Sequence, residues 1–409
     1  MTPCIFRAAV LGLLTATLVF GLAPAFQPAS AAVDPPAGDG FYAPPAELVN
    51  GDPGTVIWSR PAVGISALPA ADHTDLVLYR SRSVDGDPIA VSGTVLIPRG
   101  TPPAGGWPIV SWGHVTTGAA ESCAPSRVTS ESPEIEMMTR GDWIVSGLLA
   151  AGVAVARTDD EGVGTPGPHP YMVGKSLARS QTEIVLAARE LESSVGTKWA
   201  AAGHSEGGLG SLFTGQYASQ WAPGLQLRAI SALSPPTMSR RELQTLRFLP
   251  MRGGGLSGLA ALIIGGQVAS DARFAQMVDA GALSPLARSH LPDLEQRCFT
   301  ALAKADSWGG IAPADFDGPT FSAAKQHFYD LLDASDPAAA EVGRIPVRID
   351  QGMLDVAVPF PFQSALVARQ RSRGANITYR LYPTASHPSI TNASQAGPDV
   401  VSWLVERLR

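Results

Sequence analysis

The pentapeptide Gly203-His204-Ser205-Glu206-Gly207 constrains this chain more than any other feature because of what stands on either side of it. The apolar run Trp199-Ala200-Ala201-Ala202 precedes it, and the small-residue stretch Gly207-Gly208-Leu209-Gly210-Ser211-Leu212-Phe213 follows. A strand, a sharp turn and a helix are therefore expected, with Ser205 at the tip of the turn. Glycines flank the serine because such a turn drives backbones together and leaves no room for Cβ atoms. The helix that follows sets the positive end of its dipole beneath the serine oxygen. That context points to a nucleophilic serine, where a bare Gly-x-Ser-x-Gly would say little.

Around this turn, apolar runs alternate with helical patterns. Strands are expected at 108–112, 153–156 and 199–203, with helices at 143–149 and 180–195 between them. Such alternation implies right-handed crossovers and an α/β architecture, a mostly parallel central sheet with helices on both faces. In the second helix Ser180 and Glu183 have capping-box spacing, and Gly196 is the expected stop. Upstream, 76–79 and 89–97 read as an antiparallel hairpin through the Asp85-Gly86 turn. Residues 32–72, rich in Pro, Ala and Gly, read as an irregular lead-in.

Residues 227–233 read as a further strand, after which the rhythm is lost until 345–349. The interval holds helical patterns at 256–268, 274–283, 291–304 and 321–332. We read it as an inserted helical cap, residues 235–344, dividing one core into 32–234 and 345–409. Loops at the carboxyl ends of strands surround the ligand crevice, so an insertion here overlies it. The apolar segment 256–264 either lines a lipid-binding cavity, lies against an interface, or is the cap's own core helix.

Arg7 is the only charge in the first 33 residues, 8–20 is apolar, and Ala29-Ser30-Ala31 offers a small-x-small cleavage site. Residues 1–31 therefore read as a secretory signal peptide, the alternative being an uncleaved anchor. Its removal leaves 29 Lys and Arg against 36 Asp and Glu, a net charge of −7. With no basic run, nucleic acid is not an expected partner. Cys4 would leave with the leader, and Cys123 and Cys298 remain. An even count in an exported chain points to one disulfide rather than a metal site, with two buried free thiols as the alternative.

A nucleophilic serine needs a base and the base an acid, in the chain order Ser, Asp or Glu, His for this arrangement. His73, His114, His169 and His204 precede Ser205, and His290 and His327 fall in the expected cap. His387 follows the strand pattern 377–382 and lies in a loop before a final helix at 400–408, which makes it the candidate base. Residues 345–349 form a strand pattern whose following loop carries Asp355, whereas Asp350 is still on the strand. Asp355 is therefore the candidate acid. Asp159, Asp160 and Glu161 read as supporting groups rather than as an acid–base pair.

Several stretches together resemble the secretory lipases of the α/β-hydrolase fold: 111–118 (Ser-Trp-Gly-His-Val-Thr-Thr-Gly), Cys123-Ala124-Pro125-Ser126, Asp160-Glu161-Gly162, 203–207, the Asp355 loop and His387. The resemblance runs through nearly all of the chain after the leader, with the cap matched by position. It implies hydrolysis of carboxylic or lipid esters with no cofactor or metal, a cap that shapes the acyl pocket, and contact with a lipid interface. It also implies an oxyanion hole built from the backbone of Glu206 and a residue around Thr117, and a Cys123–Cys298 disulfide. Val115 stands where the family commonly carries glycine, and a β-branched residue does not readily take positive φ. Which residue of that loop donates is thus left open. Asp160 stands where an aromatic residue is common. The same residues would serve an acyltransferase, and a non-catalytic binding protein on this fold is the reading from a different class.

Overall fold

The computed structural model of the chain describes Met1, residues 34–246 and residues 253–409. Apart from Met1, the expected leader lies outside the described residues. Among the described residues nine strands are formed: β1 (Val56–Pro61), β2 (Ala71–Arg82), β3 (Pro88–Pro98), β4 (Trp107–Gly113), β5 (Ala154–Thr158), β6 (Val195–His204), β7 (Gln226–Leu233), β8 (Val347–Gly352) and β9 (Ile377–Tyr382). They make one sheet in the order β1-β2-β3-β5-β4-β6-β7-β8-β9. Pairing is antiparallel from β1 through β3 to β5 and parallel from β5 across to β9. This is the mostly parallel sheet of an α/β-hydrolase, with helices on both sides.

Alternation along the central strands divides the core in two. Val110, Trp112, Val155, Ala200 and Ala202 face the helices Asp142–Ala150 and Gly397–Leu408. Ile109, Ala154, Ala156, Trp199 and Ala201 face the other way, onto Ile184, Val185, Ala187 and Ala188 of the helix Gly174–Leu191. Both faces are apolar, as expected of parallel strands covered on both sides.

Three local expectations are corrected. The second helix begins at Gly174, so Ser180 and Glu183 lie inside it and cap nothing. Glu183 instead accepts hydrogen bonds from Ser81 (2.5 Å) and Arg179 (3.1 Å), a tertiary use of a polar pair that looks like a cap in sequence. The lead-in contributes β1, an edge strand whose half-exposed residues carry no clear alternation. Residues 291–304 are not one helix but two short turns, Leu291–Glu295 and Phe299–Leu302. They are separated at Cys298, which is extended, bonded to Cys123 and bridged to Gly118.

Between β7 and β8 the described chain is helical, with Ser239–Leu246, Gly255–Ser270, Ala272–Met277 and Phe321–Ala334 its main elements. Their apolar sides form a cluster with Tyr171, Leu177, Ala178, Leu209 and Phe213. These helices therefore rest on Gly174–Leu191 and on the elbow helix Glu206–Trp221. Among the described residues no single helix is long and apolar enough to cross a membrane.

Candidate active site

Ser205 joins β6 to the helix Glu206–Trp221 with φ 55° and ψ −118°, outside the regions L-residues favour. Strain of this kind persists only where the surroundings hold it. The Ser205 N–H donates to the Leu233 carbonyl at 2.8 Å, and the Ser205 carbonyl accepts from Leu209 at 2.9 Å. A Cβ on Gly203 would meet the Gly207 backbone at 2.4 Å, and one on Gly207 would meet Gly113 at 2.1 Å. Both glycines are thus required by close backbone approach.

His387 and Asp355 come from the loops after β9 and β8. The His387 Nδ1 lies 2.8 Å from Asp355 Oδ2, while Asp355 Oδ1 accepts from the backbone N–H groups of Ala357 (3.0 Å) and Val358 (2.7 Å). Burial pushes the Asp355 carboxyl up. The hydrogen bond and charge of His387 and the bond from Val358 outweigh it and hold the group below its ordinary range. With Nδ1 so engaged, Nε2 is the nitrogen left for the cavity that His387 lines together with Ser205. That cavity, of about 150 Å³, is walled mainly by apolar side chains, among them Leu256, Leu259, Ala260 and Ile263. The other candidate acid is remote in its bonding: Asp350 is fully buried and takes both Nε and Nη2 of Arg348 and the Tyr382 hydroxyl.

The loop after β4 reaches the same cavity through Val115 and Thr116, with Thr117 buried beside them. Val115 does not take positive φ. In this loop Gly118 does (131°), so the β-branched residue is accommodated without strain. A side chain on Gly118 would meet Cys123 Sγ and the Cys298 Cα, both at 2.8 Å. The Cys123–Cys298 disulfide, with Cα atoms 5.4 Å apart, and the Phe299 N–H to Thr117 carbonyl bond (2.9 Å) tie this loop to the helical segment.

Glu206, next to Ser205, turns its carboxylate away from the cavity to His169 Nε2 at 3.0 Å, and His169 Nδ1 lies 2.6 Å from the Glu161 carbonyl. Burial alone would depress His169, but Glu206 and then Asp160 raise it overall. Asp159 accepts from Ser92 (2.6 Å) and the Ser126 N–H (2.9 Å). Asp160, at φ 72°, sits 3.5 Å from His114 and is pushed up to about 7 by burial. None of the three acids at 159–161 lines the cavity.

Two features of the site escaped the sequence reading, the packing of His204 on His387 and the place of Glu242. His204 does not line the cavity, as strand alternation leads one to expect, but its ring packs 4.7 Å from that of His387. Burial, and then the proximity of His387, hold His204 well below its ordinary range, so it offers His387 an uncharged neighbour. Glu242, on the helix Ser239–Leu246, lines the cavity itself. Nothing in the spacing of that helix marks Glu242 out, because the partner surface comes from distant segments.

A family model described as Secretory lipase matches residues 127–409. A probable inactive lipase of Mycobacterium tuberculosis is 25% identical over 377 residues, covering 91% of this chain and 82% of that protein. Lipase A of Arthroderma benhamiae is 24% identical over 410 residues, covering 91% and 80%. Among solved structures, closed Candida antarctica lipase A is similar at TM-score 0.77 and 21% identity, with 92% of this chain and 87% of that one covered. The rice cell wall degrading esterase LipA of Xanthomonas oryzae is similar at TM-score 0.67 and 19% identity, with 88% and 100% covered. The likeness to these two structures is one of fold.

Proposed function

The chain belongs to the secretory lipase family, and from that premise we propose that it is an ester hydrolase that cleaves carboxylic esters through an acyl-enzyme on Ser205. His387 takes the Ser205 proton as the serine oxygen attacks the ester carbonyl. Asp355 holds the ring and offsets the imidazolium charge. Backbone N–H groups of Glu206 and of the 115–117 segment, Thr117 included, receive the developing oxyanion at the positive end of the elbow helix. The alcohol leaves with the proton, and water deprotonated by His387 then releases the acid and restores Ser205.

The observation that carries this reading is that Ser205 and His387 line one apolar cavity while Asp355 holds the far nitrogen of His387 at 2.8 Å. The wall of Leu256, Leu259, Ala260 and Ile263 suits the acyl chain of a lipid ester, each buried methylene contributing about 0.8 kcal/mol. In this reading residues 235–344 are a cap over the site, and the enzyme is exported after loss of residues 1–31.

The likeness to a probable inactive lipase favours a second reading, a binding protein on the same fold. One experiment separates the two. Ser205→Ala is expected to lower ester turnover by about 10⁶-fold with an unchanged melting temperature, and an organophosphonate to label the wild type once, at Ser205. Labelling elsewhere, or an active Ser205→Ala protein, rejects the mechanism. A wild type that turns over no ester supports the binding reading.

A further inference from the structure

Glu242 differs from four buried acids among the described residues. Asp355 is held by His387 and two backbone N–H groups, Glu206 by His169, Glu183 by Ser81 and Arg179, and Asp350 by Arg348. Glu242 lines the cavity of Ser205 and His387, and among the described residues its carboxyl makes no hydrogen bond or ion pair. Around it the wall is Leu243, Leu246, Leu259, Ile263 and Met172. A carboxyl left unpaired against apolar surface is costly, so a partner that arrives with the substrate would recover what the free enzyme forgoes.

We propose that Glu242 is a specificity-determining residue, whose carboxyl receives a hydroxyl carried by the ester substrate. The inference rests on the ester-hydrolase reading of Ser205 and adds a substrate class to it, hydroxyl-bearing esters in preference to wholly apolar ones. A neutral hydroxyl suits the position better than an ammonium. Burial, and then the negative charge of Asp355, push Glu242 up to about 7, so near neutral pH it is present both as acid and as carboxylate. A hydroxyl can donate to the carboxylate and accept from the acid, whereas a cation would meet a neutral partner for much of the time in an apolar cavity.

The test compares matched ester pairs by pH-stat titration: 1-monobutyrin against propyl butyrate for a hydroxyl on the alcohol side, and methyl 6-hydroxyhexanoate against methyl hexanoate for one on the acyl side. In the wild type, kcat/KM should favour the hydroxylated member of at least one pair by ~10-fold, the size expected of one buried hydrogen bond. Glu242→Leu should erase that preference and raise kcat/KM on the plain ester. The isosteric Glu242→Gln, which still donates and accepts, should keep part of it, with phosphonate labelling and melting temperature establishing that each variant is folded. Equal rates on both members of both pairs in the wild type overturn the inference, as does a Glu242→Leu variant that keeps the preference or loses activity on both members alike. Loss of the underlying reading looks different: no ester is turned over and Ser205 is not labelled.

Discussion

Asp350 and Asp355 are both buried, but they answer to different charges, Asp350 to the guanidinium of Arg348 and Asp355 to the ring of His387. Replacing either with asparagine should therefore fail in a different way. Asp355→Asn is expected to keep the fold and lower kcat by about 10⁴-fold, since the amide favours the wrong imidazole tautomer and cannot stabilise its charged form. Asp350→Asn should leave turnover per folded molecule within a few-fold but cost about 3 kcal/mol in denaturant unfolding, because Arg348 is left buried without its carboxylate. The reverse pattern would move the acid to β8. Asp355 also has a pH signature. Its folded pKa is depressed, so its stabilising contribution is present above the ordinary aspartate range and is lost as pH falls through the depressed value. The strand, turn and helix around Gly203–Gly207 were enough to nominate Ser205, and chain order and loop placement to nominate Asp355 and His387. The packing of His204 on His387 and the exposure of Glu242 to the cavity were not legible, because each depends on which distant segment arrives opposite.

At the scale of elements, the helix Gly255–Ser270 carries two jobs on neighbouring turns. Leu259 lines the cavity, whereas Leu262 is buried among the helices and does not reach it. The sequence left open whether this apolar segment walls a lipid cavity, lies against an interface or serves as the cap's own core, and its residues differ: Leu259 is at the cavity and Leu262 in the packed interior. Leu259→Asp should depress activity on long-chain esters by 10-fold or more while sparing acetate esters, as a charge in the wall forfeits methylene burial. Leu262→Asp should instead lower the melting temperature and activity on all chain lengths together, the result of a charge in a packed interior. A parallel loss for Leu259→Asp that tracks its melting temperature would reject the acyl-wall role. The elbow was readable because its glycines answer to one local geometry. The start of the helix Gly174–Leu191 was misread because Glu183 satisfies Ser81 on β2 and Arg179 within the helix, while its spacing from Ser180 mimics a cap.

At the scale of the molecule, the Cys123–Cys298 crosslink spans 175 residues and joins the loop after β4 to the helical segment between β7 and β8. Closing so long a loop is worth up to about 5 kcal/mol in the chain-entropy model. Both cysteines are buried, so a double variant is a cleaner probe than reductant. Cys123→Ser with Cys298→Ser should lower the melting temperature by on the order of 5 °C and reduce ester turnover further than that loss of stability explains, as the Val115–Thr116 wall loosens. An unchanged melting temperature would mean that the crosslink constrains little. What the sequence by itself determined is the α/β order of elements and the sharp turn at Ser205, because both rest on periodicities and steric demands confined to a few consecutive residues. Only the tertiary structure decided which faces meet: that β1 joins the sheet edge, that Cys298 is extended and bridged to Gly118, and that Glu242 and Leu259 line one cavity with Ser205. Those outcomes depend on packing between segments far apart in the chain, where local preference is a weak term and complementarity between surfaces outweighs it.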